Sequence, residues 1–105
     1  MKLTKHCMPE TMYRASRCCR ILGNPTAYLI LRFLGRNRQT PSAISQGLQL
    51  SLPAVSSTLR ELRNVDLVRY ETAGKTREYW LKDRKVLELL DALEALTRIM
   101  RRKRF

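Results

Sequence analysis

Apolar positions follow a helical period along most of the chain and an alternating one between residues 68 and 81. Met8, Met12, Ala15, Cys19 and Leu22 recur at helical spacing, which predicts a first helix from Glu10 that ends at Gly23. Asn24–Pro25 restarts the chain as an N-cap followed by a first helical residue. The segment TAYLILRFL is apolar nearly all round, as a central buried helix would be, and it runs out at Gly35 into the basic loop RNRQ. Thr40–Pro41 repeats the cap-then-proline device, and SAISQGL predicts a short helix closed by Gly47. After Leu48–Leu50, Ser51 and Pro53 open a further helix that carries Val55, Leu59 and Leu62 on one face.

The opposite face of that helix carries Pro53, Ser57, Arg60 and Asn64, flanked by Ala54, Ser56 and Glu61. It has no aromatic and no long aliphatic residue, so it is not built to pack inside its own domain. Small, hydroxyl-rich and tipped with a guanidinium, it suits phosphates and base edges in a major groove. A plain solvated face looks similar, and the context separates the two. Two helices joined by a tight turn containing glycine form a helix-turn-helix, with the second helix placed for the groove. Beyond Asn64, Val68 and Tyr70, then Tyr79 and Leu81, alternate with Arg69, Glu71, Glu78 and Trp80, and TAGK lies between the runs. This predicts a β-hairpin with Gly74 at its tip, and with Lys75 and Arg77 on the tip and returning strand. A hairpin just after a recognition helix is a wing.

Asp83 can cap a last helix, in which Val86, Leu89, Leu90, Leu93, Leu96 and Met100 line one face for about four turns. A small core does not need so long a stripe. The expected use is pairing with a second copy, with Met12 and Ala15 of the first helix in the same seam. The fold expected is therefore mainly α with a β-hairpin wing, a winged helix-turn-helix in a homodimer. Residues 1–9 form a basic arm, residues 10–105 the winged-helix domain, and residues 82–105 its dimerisation helix.

Charge sharpens this picture. Lys and Arg number 21 against nine Asp and Glu among 105 residues, a formal charge of +12. That field attracts polyanions, of which nucleic acid is the commonest and anionic membrane the competitor. No apolar run approaches the ~20 residues of a transmembrane helix. The opening MKLTKHCMPETMYR has no signal-type apolar run, so a cytoplasmic protein is expected.

The stretches RILGNPTAYLILRFL, ISQGLQLSLPAVSSTLREL and DLVRYETAGKTREYWL together resemble the ArsR/SmtB family of winged-helix repressors. The first is similar to that family's helix opening, the second to its helix-turn-helix and the third to its wing. The resemblance spans about Cys18 to Leu81, and broader groups such as the MarR-like regulators share parts of it. It implies a homodimer on a double-stranded DNA operator, released when a ligand, often a metal ion or arsenite, lowers DNA affinity. With the helix face and the wing read above, the expected DNA contacts are Thr40, Ser42, Ser51, Pro53, Ala54, Ser56, Ser57, Arg60, Lys75 and Arg77. The chain also departs from the family. RQTPSAIS lacks the cysteines of arsenite sensors, and Glu88, Asp91 and Glu94 lack the histidine of zinc sensors. Asp66 stands in place of a glycine, and Ser57–Thr58 in place of a His-His pair.

Three cysteines, Cys7, Cys18 and Cys19, make a poor disulfide framework and fit a reducing compartment. As thiolates they would suit arsenite or another soft ion, with His6 able to add a nitrogen. Alternatively Cys18 and Cys19 are small core residues, with Cys19 central to the apolar face of the first helix, and Cys7 is incidental. No cofactor is required on either reading. The chain has no glycine-rich phosphate loop, no His-Glu-x-x-His and no Gly-x-Ser-x-Gly, so an enzyme is not expected. The competing class is a basic winged-helix adaptor that binds structured RNA or a protein partner.

Overall fold

Helix α2 (Pro25–Leu34) is the element on which the others pack in the computed structural model, which describes residues 8–100. Around it stand α1 (Glu10–Leu22), α3 (Pro41–Leu48), α4 (Leu52–Asn64) and α5 (Arg84–Ile99), with β1 (Val68–Ala73) and β2 (Thr76–Leu81) forming one antiparallel hairpin. Asn24 starts α2 by accepting the amide hydrogens of Thr26 and Ala27 on Oδ1, at 2.9 and 3.4 Å. Ala27, Ile30, Leu31 and Leu34 are then fully buried against α3, α4, β2 and α5.

The helix is less apolar all round than its sequence suggests, because a polar seam runs along its α5 side. Tyr28 Oη donates to Glu94 Oε2 at 2.7 Å, and Arg32 Nε donates to the same oxygen at 2.8 Å. Arg32 Nη2 also reaches Asp91 Oδ1 at 2.8 Å. Leu29, on the remaining side, is exposed.

The helix-turn-helix forms as expected, with one correction. Gly47 lies inside α3, and the chain turns at Gln49 instead, in the left-handed region at φ 55°. At position 47 glycine leaves room for the ring of Phe33. A Cβ there would lie 2.4 Å from Phe33 Cε1 and Cζ. The turn is fastened by Ser45, whose carbonyl accepts from Leu50 N at 3.0 Å and whose hydroxyl donates back to Leu50 O at 2.5 Å. Ser51 Oγ then accepts from Ala54 N at 3.2 Å and opens α4.

Val55, Leu59 and Leu62 bury one face of α4 completely, joined by Thr58. The chain leaves α4 through Asp66 at φ 62°, the left-handed conformation expected where an aspartate replaces glycine. Lys82 donates to the Asp66 carboxylate and its amide bonds Leu67 O, which ties the hairpin base together. The hairpin register pairs Val68 with Leu81 and Tyr70 with Tyr79, and Gly74 turns the tip at φ 65°. Gln39 exchanges two backbone hydrogen bonds with Tyr79, at 2.9 and 2.8 Å, so the loop before α3 is stitched to the wing.

The α5 stripe divides. Asp83 caps the helix at Lys85 N, as expected. Val86 and Leu90, expected at a dimer seam, are instead buried in the protomer's own core. They lie on the turn of the stripe that faces α2, and the nearest core covers them first. Leu93 is half-buried, while Leu89, Leu96 and Met100 remain exposed. Helix α1 shows the same division. Cys18, Ile21 and Leu22 pack on the core, whereas Met12, Ala15 and Cys19 face outward. Cys19 is therefore not a core residue of the protomer.

Glu94 has its pKa lowered, first by the hydrogen bond from Tyr28 and then by those from Arg32. A carboxylate held below its unfolded value of about 4.3 stabilises the fold above that pH and loses the contribution as pH falls through the lowered value. Glu94→Gln should be less stable than wild type near neutrality, and the gap should close on acidification below about pH 4. Urea denaturation midpoints at several pH values check this; a gap independent of pH would show that the seam contributes nothing through ionisation.

Candidate nucleic-acid interface

Three elements converge on one open cleft of about 440 Å³. The start of α3 supplies Thr40, Pro41 and Ser42, the outer side of α4 supplies Leu52, Ser56, Arg60 and Arg63, and the wing supplies Lys75, Thr76, Arg77 and Tyr79. Arg60 and Arg63 lie three residues apart and so share a helix face, while Lys75 and Arg77 face them from the wing. Four cations and no carboxylate line this surface. Among the described residues, neither Arg60 nor Lys75 has an ion-pair partner. Such a cleft holds a positive potential that a polyanion relieves.

Aromatic rings hold two of these cations, Arg77 of the wing and Arg63 of α4. Tyr70 and Tyr79 pack at a centroid distance of 5.3 Å, with the guanidinium of Arg77 4.5 Å from the Tyr70 centroid and that of Arg63 5.5 Å from it. Arg63 Nη1 also donates to Tyr70 Oη at 3.4 Å. A side-chain hydrogen bond with Tyr79 raises the pKa of Arg77 further, so its charge is fixed at any working pH. On the far side of the hairpin Arg38 lies 4.0 Å over the Trp80 ring and pairs with Glu71. Trp80 there shares a cleft with Arg84 and Leu87 of α5.

Of the contacts expected from sequence, Thr40, Ser42, Ser56, Arg60, Lys75 and Arg77 come together in the cleft. Ser51, Pro53, Ala54 and Ser57 are exposed on α4 but do not line it. Two hydroxyl oxygens already accept capping bonds, Thr40 Oγ1 from Ala43 N at 3.1 Å and Ser51 Oγ from Ala54 N. Thr58, next to the expected contact Ser57, is buried. Leu52, Arg63, Thr76 and Tyr79 were not anticipated. For Arg63 the signal was present, one turn beyond Arg60; for the wing residues only the fold brings them round.

Two of the thiols, Cys18 and Cys19, lie among the described residues and differ in burial. Cys7 and His6 lie outside the described residues. The half-buried Cys18 points its sulfur toward Val65 O at 4.0 Å and lines a separate cleft with Arg14 and Arg17, while Cys19 is exposed. Among the described residues no three His, Cys, Asp or Glu side chains are arranged to hold a metal ion. Asp91 and Glu94 are engaged by Arg32. No helix of the described residues is long and apolar enough to cross a membrane.

A family model described as the MarR family matches residues 24–77, from the cap of α2 to the returning strand of the wing. No curated protein matches the sequence. Among solved structures, the transcriptional regulator HlyU from Vibrio vulnificus CMCP6 is 26% identical with a TM-score of 0.70, the match covering 83% of this chain and 91% of that one. NolR from Sinorhizobium fredii is 26% identical with a TM-score of 0.75, over 91% and 95% of the two chains. A homodimeric winged helix-turn-helix DNA-binding domain from Mycobacterium bovis, a possible ArsR-family transcriptional regulator, is 21% identical with a TM-score of 0.76, over 83% and 81%.

Proposed function

The chain belongs to the MarR family and is a transcriptional regulator of winged-helix type rather than an enzyme; from that premise we propose that it is a cytoplasmic, homodimeric repressor of the ArsR type that binds a two-fold symmetric DNA operator. The observation that carries this reading is the cleft between α4 and the wing, with four cations and no carboxylate. Arg60 on the outer face of α4 is the guanine reader, since a guanidinium matches guanine O6 and N7 in a bidentate contact. Lys75 and Arg77 on the wing hold phosphates, which add affinity without sequence preference.

Selection of duplexes from a random pool, set against an unrelated duplex and an RNA hairpin, tests the assignment by gel shift. Arg60→Ala should cost about 1–3 kcal/mol on the selected duplex and relax its specificity. Lys75→Ala and Arg77→Ala should weaken all duplexes alike and each flatten the salt dependence by roughly one unit. Preference for the RNA hairpin, or binding of none of the three, would favour a basic adaptor instead.

Self-association is supported by the exposed apolar residues on α1 and α5, Met12, Leu89, Leu96 and Met100 among them. Paired subunits would set two recognition helices at the spacing of two half-sites. Leu96 is exposed in the protomer, so Leu96→Glu spares the core. That variant should sediment as a monomer and lose operator affinity; an unchanged dimer in analytical ultracentrifugation would place the interface elsewhere.

For an effector we propose a soft ion, arsenite or a thiophilic metal, taken up by Cys7, Cys18 and Cys19. Solvent reaches both Cys18 and Cys19, which supports this reading. Uptake releases thiol protons, so affinity should rise with pH. Arsenite should release operator DNA from the wild type and not from Cys18→Ser/Cys19→Ser; titration of the reduced protein without operator release would end the effector proposal and leave DNA binding intact.

A further inference from the structure

The leucines of α4 are treated unequally. Leu59 and Leu62 are completely buried, but Leu52, at the first turn, leaves 46% of its surface to solvent. Pro53 and Ala54 after it are exposed as well, so the opening turn of the helix presents carbon on three successive side chains. Leu52 nevertheless lines the same cleft as Ser42, Ser56 and Arg60, so it stands among the groups that face a bound polyanion.

An apolar side chain in that position gains nothing from phosphates and cannot hydrogen-bond a base edge. The apolar feature that the major groove offers is the C5-methyl group of thymine. Residues at the start of a recognition helix are the ones that reach the bases. We propose that Leu52 is a specificity-determining residue that selects thymine by covering its methyl group, in the same cleft as Arg60. A protein partner would also cover an exposed leucine, but four cations without a carboxylate around it favour nucleic acid. The inference rests on the DNA-binding reading and adds to it which base the first turn selects. Covering one methyl group is worth about a fourfold change in affinity.

Single replacement of each thymine in the selected duplex by deoxyuridine removes the methyl group and leaves the hydrogen-bonding edges unchanged. With the 105-residue chain, fluorescence anisotropy should find one thymine per half-site whose replacement weakens binding about fourfold. Leu52→Ala should bind the thymine and deoxyuridine forms of that duplex equally, while every other thymine behaves alike in both proteins. Thermal melting should be unchanged in this variant, since the side chain is outside the core. If the duplex is bound but no thymine responds, or if wild type and Leu52→Ala respond alike, Leu52 does not read the base and the repressor reading stands. If no duplex is selected at all, both fall together.

Discussion

A recognition helix has to be held firmly by one face while the other is left bare, and that constraint shapes this fold. Here the holding face is small: Val55, Leu59 and Leu62, with Thr58 between them. Burial of an apolar side chain of this size stabilises by about 1.5–3 kcal/mol, so three of them anchor a helix only against a surface that does not yield. Helix α2 is that surface, with Ala27, Ile30, Leu31 and Leu34 fully buried along its length. Its own position depends on the Asn24 cap at one end and on the Tyr28 and Arg32 bonds to Glu94 along its side. The outer face of α4 is left to solvent because α2 completes the packing without it.

The wing is placed by a second constraint, that its cations must face those of α4. Tyr79 meets it by serving both sides of the hairpin. Its backbone pairs with Gln39 ahead of α3, its ring is buried, and Tyr70 packs against that ring. Arg63 from α4 and Arg77 from β2 both gather at Tyr70. One aromatic pair thus links the charges of the helix to those of the hairpin, and a polyanion meets them as a single preformed surface. Preorganisation of this kind lowers the ordering cost that long basic side chains otherwise add on binding.

Local chemistry made much of this legible in the sequence. Asn24–Pro25, Thr40–Pro41, Ser51 and Asp83 all cap the helices they announce, because a cap is a bond within three residues and needs no distant partner. The hairpin was legible for the same reason, through its alternation and Gly74. What misled were features decided by distant neighbours. Gly47 looks like a helix stop, yet it lies inside α3 and leaves room for the ring of Phe33 from another helix. The α5 stripe looked like one seam, but periodicity gives the direction of a stripe and not how far the core extends along it. Val86 and Leu90 fall to the core and Leu89 and Leu96 to the surface. Cys18 and Cys19 are about 100° apart on a helix, and only the packing of α1 on the core decides which of them is inside.

That last placement bears on how any signal could reach the DNA-binding surface. An effector changes DNA affinity only through its preference for one of two arrangements, so its site must touch something that moves the recognition helix. Cys19 is exposed and faces away from the core of the described residues. Cys18 lies against the carbonyl of Val65, the residue that caps α4. Asp66, strained into a left-handed conformation, follows at once, and Lys82 links it to the foot of the wing. A change at Cys18 is therefore within one contact of the end of the recognition helix and within two of the hairpin. The thiol nearest the core, rather than the more accessible one, is in position to transmit.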